Sequence, residues 1–486
     1  MLEVEVHTGL LAYLRQGKHQ IVWQHHLTMA RLVGRALRLG RSAIIQTGTN
    51  ASVYCPSYLV NALLWQGPVI LLAPPTQQSL IRQLIPELLA VIESPPRQII
   101  WQLPTDDFTG LAIATPQAWL AARFSGRHWQ NVPTLIDGCD DLASWAQQQL
   151  TVDWSAANWA DLSQIYPHQV ETIQELRIKL TQSVFQHPPN PYNCYGFTSE
   201  DSHLLQALGR YCPAFACADR FFWARADHQQ GHMTLHAAPV DLAPILAPLW
   251  QRQPLVLIGQ AMDLDVQASV YRQNLGLGEI TCIKLTPQRS LIRLYIPDGL
   301  PLPNTPQFQG AIAPQIYQLL EHYSFSTCVI ITSDLPLKHQ LGTIIAAKFG
   351  SRTYVESLPR GDRPILVTGW QFWRENQHQF PQPQLLIIPT IPLPSLENPT
   401  VAARVAHYKK QRRDWFRLYL LPEAVRELHM AATVLRQNQG TVAVLDSRIN
   451  SRSYGQQILM ALSPFARTNY LDDLDEPSGE MGFASL

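Results

Sequence analysis

No apolar run in the 486-residue sequence approaches the ~18 residues that cross a bilayer, so no membrane-spanning helix is expected. The opening stretch MLEVEVHTG lacks the basic-then-apolar order of a secretory leader, and a cytoplasmic location is expected. Charge is sparse at 15% of residues, and 37 Lys+Arg offset 37 Asp+Glu. Without a net field, an anionic partner has to be met by a local basic patch. The seven cysteines, Cys55, Cys139, Cys194, Cys212, Cys217, Cys282 and Cys328, are scattered without C-x-x-C spacing. That pattern favours buried free thiols over a zinc site or a disulfide framework.

What is plentiful is apolar sequence, 46% of residues. The length suits about three domains, or two larger ones carrying insertions. A helix is expected over Leu27–Leu39, where Ala30, Val33, Ala36 and Leu37 recur at helical spacing and Gly40 marks the end. Arg31, Arg35 and Arg38 share its other face, which reads first as solvated surface and second as a phosphate-contacting face. Short apolar runs at Ser42–Ile45, Val69–Ala73, Leu111–Thr115 and Thr134–Ile136 alternate with helical stretches and read as buried parallel strands. A second set lies near Cys328–Thr332, Ile365–Thr368, Leu385–Pro389 and Val442–Leu445. This alternation predicts an α/β protein with helices on both sheet faces.

The most informative stretch is Ile44-Ile45-Gln46-Thr47-Gly48-Thr49-Asn50-Ala51-Ser52, between a strand and an apolar helical stretch. A working phosphate loop is G-x-x-x-x-G-K-[ST]: glycines let backbone N–H groups wrap the phosphates, lysine reaches the β/γ oxygens, and the hydroxyl holds Mg²⁺. Here Ile45 takes the first glycine, Asn50 the second and Ala51 the lysine, while Ser52 survives. Asn50 tolerates the left-handed backbone a glycine would adopt, so the loop is expected to keep its shape while losing its charge. Ser52 also reads as an ordinary helix-opening residue, and Asp137 as a strand-end turn cap.

From about Leu27 to Pro464 the segments resemble the DinG/XPD-type superfamily 2 DNA helicases in that family's order. The residues carrying the likeness are the loop itself, Leu72-Ala73-Pro74-Pro75-Thr76, Ala114-Thr115-Pro116-Gln117, and the acidic box Leu135-Ile136-Asp137-Gly138-Cys139-Asp140. Further on come Phe222-Trp223-Ala224-Arg225, Ile330-Ile331-Thr332-Ser333, Phe372-Trp373, Ile391-Pro392-Leu393-Pro394 and Val444-Leu445-Asp446-Ser447-Arg448. The resemblance implies two RecA-like parallel-sheet motor domains with a mostly helical insertion. The divisions are a first domain over 1–150, an arch-like insertion over 151–211, a return to the first domain over 212–263, a second motor domain over 264–468 and a flexible acidic tail over 469–486.

The departures from the family are selective. Gln46 stands where the family writes a further glycine, and Gly138 replaces the glutamate that orients the attacking water. The strand expected to end Ser-Ala-Thr ends Ile258-Gly259-Gln260-Ala261-Met262. Where the family places glutamine, glycine and two arginines, only Arg436 is available as a finger. Only Cys55 lies where iron–sulfur members carry four cysteines, so no cluster is expected.

The resemblance therefore implies a degenerate phosphate loop over Gly48, Thr49, Asn50, Ala51 and Ser52, with Asp137 and Arg436 as vestigial catalytic residues. Ser52 and Asp137 are the Mg²⁺ candidates should ATP be bound, and no cofactor is certain. Thr76, Thr332 and Ser333 fall at nucleic-acid-contacting positions. The run Lys409-Lys410-Gln411-Arg412-Arg413, with Arg417, Tyr408, Trp415 and Phe416, suits backbone tracking and base stacking, or is a solvated helix face. The leading expectation is a helicase-fold protein that binds single-stranded DNA, or a repair or replication partner, with ATP hydrolysis lost or very weak. An active ATP-dependent 5′-to-3′ helicase and a scaffold without nucleic acid remain as alternatives.

Overall fold

The computed structural model describes residues 2–16, 23–92, 97–188, 190–251, 253–286 and 290–472. Of the expected acidic tail, 473–486 lies outside the described residues. The chain divides into two compact units: Met1–Thr47, Ala51–Leu285 and Pro394–Tyr419 in one, and Gly48–Asn50, Thr286–Leu393 and Leu420–Leu486 in the other.

The first unit is built on a seven-stranded sheet in the order Thr281–Lys284, Ala43–Gln46, Leu255–Gly259, Thr134–Asp137, Val69–Leu72, Leu111–Ala114, Ile99–Ile100. Every pairing is parallel. Alternate side chains of these aliphatic strands serve opposite faces, as the two-residue strand period requires. Ile45, Leu71 and Leu135 join one core, while Ile44, Ile70 and Ile136 join the other. The first core is covered by the helices Leu2–Arg15, His26–Leu39, Ala51–Leu64 and Pro75–Leu89. Leu2–Arg15 went unread in the sequence, although Val6, Leu10 and Tyr13 form a buried stripe at helical spacing.

Two expected boundaries are corrected. Residues 264–285 stay with the first unit, because Thr281–Lys284 pairs with Ala43–Gln46 along the edge of its sheet. Nor does the insertion end at 211. Arg220–Asp227 and His232–Pro239 form an antiparallel hairpin that pairs with Val152–Trp154 and Cys194–Gly196 in a four-stranded sheet. The helices Ala156–Ile165, Val170–Phe185 and Ser202–Gly209 pack on one face of it through Trp159, Leu162, Ile173, Leu180 and Leu208. Alternating small and aromatic residues, such as Phe222, Ala224 and Ala226, supply the sheet side of that core.

The segment 394–419, expected within the second motor domain, also groups with the first unit. Its helix Pro399–Lys410 is capped by Asn398, whose side chain accepts from Thr400 N at 3.0 Å. Arg404 donates to Gln147 Oε1 at 2.9 Å and Tyr408 to Asn274 Oδ1 at 2.9 Å, tying the helix to the first unit.

The second unit carries its own seven-stranded sheet, ordered Thr353–Val355, Ile365–Thr368, Cys328–Ile331, Leu385–Ile388, Thr441–Val444, Ile292–Tyr295, Phe465–Thr468. Its pairings are again all parallel. Two RecA-like parallel-sheet domains with a helix-bearing insertion are therefore present. In open parallel sheets, ligands bind beyond the carboxyl ends of the strands, so the loops there position any site.

Candidate nucleotide site

Beyond the carboxyl end of the first sheet, Thr134–Asp137 delivers Asp137 into a fully buried position. A buried carboxylate has to find hydrogen-bond donors. Asp137 takes them from the helix that follows the loop: Tyr54 Oη donates to Oδ1 and Tyr58 Oη to Oδ2, each at 2.6 Å. Gly138 N adds a third bond to Oδ1 at 2.8 Å. Tyr54 and Tyr58 stand four residues apart, so both phenols leave the same face of the helix Ala51–Leu64. Burial raises the Asp137 carboxyl from 3.8 to about 6, against the opposing pull of the two phenols and the Gly138 amide. Burial beside the same carboxylate pushes both phenols well above their ordinary range.

Gly138 sits at φ +72°, in the left-handed region. A Cβ there would come within 3.3 Å of Pro74 Cγ and 3.4 Å of Trp145 Cη2. The position thus disfavours the glutamate that the family carries, on backbone as well as packing grounds. Asp140, two residues on, is turned inward and accepts from Gln260 N at 2.8 Å and Ala261 N at 2.6 Å.

The glycine-replacing Gln46 is also buried and fully used. Its Nε2 donates to Asp265 O at 2.9 Å, and its Oε1 accepts from Asp263 N at 2.9 Å. Lys284, register partner of Gln46 across the strand pair, donates to Asp263 O at 3.0 Å and Leu264 O at 2.6 Å. Burial lowers the Lys284 ammonium pKa and raises that of the Asp263 carboxyl. In the loop itself, Gly48 and Thr49 are buried, Asn50 and Ala51 half-buried and Ser52 exposed. The left-handed residue is Gly48, at φ +66°; Asn50 is not at positive φ, which corrects the expectation that it stands in for a left-handed glycine.

This donor set does not fit a magnesium-bound nucleotide. Both Asp137 oxygens already accept from phenolic hydroxyls, Ala51 brings no cation and Gly138 no carboxylate. Among the described residues, no group of three or more His, Cys, Asp or Glu side chains could hold a metal.

The other site expectations fare unevenly. Arg436, expected as a finger, is 2% exposed. Its guanidinium is enclosed by the carbonyls of Ser290 (3.2 Å), Leu462 (2.6 Å), Ser463 (2.8 Å) and Pro464 (2.8 Å). It closes a helix end and faces no ligand, and burial lowers its pKa to about 10. Thr332 is buried and shares its hydroxyl with Thr390 at 3.3 Å, while Ser333 is half-buried. Thr76 is exposed at the start of the helix Pro75–Leu89.

Lys409, Lys410 and Arg412 are exposed and Arg413 is half-buried. Of the aromatics beside them, Tyr408 is buried and stacks on Tyr419, while Trp415 and Phe416 are half-buried; Arg413 lies 5.0 Å from the Tyr408 ring and Lys409 5.3 Å from Trp415. Tyr54, Tyr58 and Lys284 escaped sequence reasoning; the one signal was a pair of tyrosines four apart in an otherwise apolar helix.

Three outcomes follow from this geometry. Because the folded-state pKa of Asp137 lies above its unfolded value, its contribution to stability is full below about pH 4 and is lost as pH rises through about 6. That difference amounts to something on the order of 3 kcal/mol. Urea unfolding between pH 4 and 8 should show this decline in the parent and a flattened profile in Asp137→Asn; an unchanged slope contradicts the assignment. Gly138→Glu should destabilise by about 1–2 kcal/mol, the left-handed penalty for a side chain, read as a lowered urea midpoint. Arg436→Met should cost about 2–4 kcal/mol by stranding buried carbonyls, again read from the unfolding midpoint.

Comparison with known proteins places this geometry in context. Residues 379–465 match the helicase C-terminal domain family. The chain is similar to the ATP-dependent DNA helicase YoaA of Haemophilus influenzae, 23% identical over 270 residues that cover 52% of this chain and 42% of that protein. It is similar also to YoaA of Escherichia coli, 22% identical over 254 residues, covering 49% of this chain and 40% of that protein. The chain thus aligns with less than half the length of either relative. A solved XPD helicase superposes with TM-score 0.63 at 9% identity, covering 93% of this chain and 100% of the other. An apo XPD does so with TM-score 0.61 at 10% identity, covering 91% and 100%. At those identities the structural likeness concerns the fold. The C-terminal domain match, the YoaA alignments and the shared architecture agree: the chain is similar to the DinG/XPD-type superfamily 2 helicases in sequence over about half its length and in fold over most of it.

Proposed function

We propose that this chain is a helicase-fold protein that holds single-stranded DNA without a cycle of ATP hydrolysis. The observation that carries this reading is Asp137, whose two oxygens are committed to Tyr54 and Tyr58 beside a glycine where a water-orienting glutamate is needed. Loss of a positioned base costs about 10²–10⁴ in rate, and loss of the phosphate lysine removes a charge-assisted bond of about 1.5–3 kcal/mol. Together they leave the γ-phosphate's transition-state charge with little to stabilise it.

The DNA side of the reading is supported by the YoaA relatives, which are DNA helicases by name, and by the basic segment Lys409–Arg413, exposed at Lys409, Lys410 and Arg412. Lys409 and Lys410 end the helix Pro399–Lys410 and Arg412 and Arg413 follow it, and the carboxyl end of a helix favours such cations rather than phosphate. A cytoplasmic location and a repair or replication partner belong to the same reading; no described helix is long and apolar enough to cross a membrane.

The test is DNA retention by the purified chain as a function of salt. Replacing Lys409, Lys410, Arg412 and Arg413 with glutamine should flatten the dependence of log K on log salt by up to about 3, at about 0.7 per phosphate contact on a single strand. An unchanged slope removes this turn as the DNA site, and absence of any salt-sensitive retention in the parent favours a protein scaffold.

A further inference from the structure

In a nucleotide-driven motor, the loops beyond the sheet move because the bound phosphate is their hydrogen-bond partner. Here the loop that follows the strand Leu255–Gly259 has been given internal partners instead. Gly259 O accepts from Thr47 N at 2.8 Å and from Thr47 Oγ1 at 3.2 Å. The amides of Gln260 and Ala261 go to the two oxygens of Asp140. The amide of Asp263 goes to Gln46, the carbonyls of Asp263 and Leu264 to Lys284, and the carbonyl of Asp265 back to Gln46. Asp263 completes the set, accepting from Asp265 N at 3.2 Å on Oδ1 and Tyr271 N at 2.9 Å on Oδ2.

Four side chains from three neighbouring strand ends thus hold the backbone of 259–265, and all of them lie within the first unit. Gln46 holds it at two points two residues apart, so a shift of the loop in either direction breaks a bond. A glycine at 46, as the family writes, could make neither tie. Gly259 is crowded on the same account: a Cβ there would sit 2.8 Å from Asp140 Oδ2. Each bond contributes only about 1 kcal/mol, and those of Lys284 are open to solvent, but together they hold one short stretch of backbone, so loosening one weakens its neighbours.

We infer that Gln46, Asp140 and Lys284 are positioning residues that fix the 259–265 loop in one conformation, independent of nucleotide. Resting on the DNA-binding reading above, this makes retention of single-stranded DNA constitutive rather than gated by ATP. It also means that resupplying the phosphate lysine does not by itself restore nucleotide control, since the ties from Gln46, Asp140 and Lys284 remain in place.

Hydrogen exchange of the full chain, followed at the peptide spanning 259–265 with and without Mg-ATP, tests the loop directly. Strong protection without nucleotide, unchanged by Mg-ATP, is expected. Gln46→Gly should speed exchange in that peptide by about tenfold or more while the strands Val69–Leu72 and Leu111–Ala114 stay protected. Lys284→Met, at the sheet edge, should speed the same peptide to a smaller extent and serves if Gln46→Gly fails to fold. Rapid exchange in the parent, a change in protection on adding Mg-ATP, or no effect of either variant overturns the inference. Anisotropy of a labelled single-stranded oligonucleotide, with and without Mg-ATP, separates the two readings. Equal affinity within about twofold supports constitutive binding, and nucleotide-dependent affinity overturns it. No binding at all rejects the DNA reading while the exchange result still decides the loop.

Discussion

The buried carboxylate of Asp137, held between two tyrosine hydroxyls, is the constraint on which the first domain's site depends. A charge removed from water has to be matched by donors nearby, and the chain supplies them from one turn of the helix that a phosphate loop would otherwise point at a nucleotide. Matching it fixes the rotation of that helix, because both phenols must reach the end of the strand Thr134–Asp137 together. It also fixes the turn after the strand, where the Gly138 amide bends back to the same oxygen in a left-handed conformation. The acidic residue of the box is thereby part of the core.

Around that clamp the framework of a motor domain is intact while its ligand chemistry has turned inward. The parallel sheet, its strand order and the placement of loops beyond its carboxyl edge are those of a nucleotide-binding domain. Yet Gln46, Asp140 and Asp137 all spend their polar atoms on the chain itself. The same has happened in the second unit, where Arg436 satisfies four carbonyls and Thr332 pairs with Thr390. Replacing a ligand by internal hydrogen bonds keeps a fold rigid without the ligand, which is what the proposed binding without hydrolysis requires.

Much of the fold was legible because it rests on local pattern. Aliphatic four-residue strands between helical stretches announce a parallel sheet, and Gly40 ends its helix in the left-handed form that the sequence implied. The edge strand Thr281–Lys284 was not legible: it is only partly buried, so it lacks the apolar run that marks its neighbours. The insertion's hairpin was missed for a related reason. Its antiparallel strands alternate between covered and open faces, and their polar positions mask the period.

In the site, losses could be read and replacements could not. A missing lysine or glutamate is visible by position, whereas Tyr54, Tyr58 and Lys284 act through partners 83, 79 and 21 residues away in sequence. Arg436 misled because its residue type suits a finger, while the carbonyls that claim it come from the distant turn 462–464 and Ser290. Only the three-dimensional arrangement shows that its Nη1 and Nη2 donors are already taken.

Steady-state ATP hydrolysis by the purified chain, with and without single-stranded DNA, tests the central claim most directly. The account predicts no turnover above background under either condition, with the Asn50→Gly/Ala51→Lys variant equally silent because the phenol clamp and Gln46 remain. DNA-stimulated hydrolysis by the parent chain would contradict it, and would mean that Asp137 exchanges its phenols for a metal during turnover.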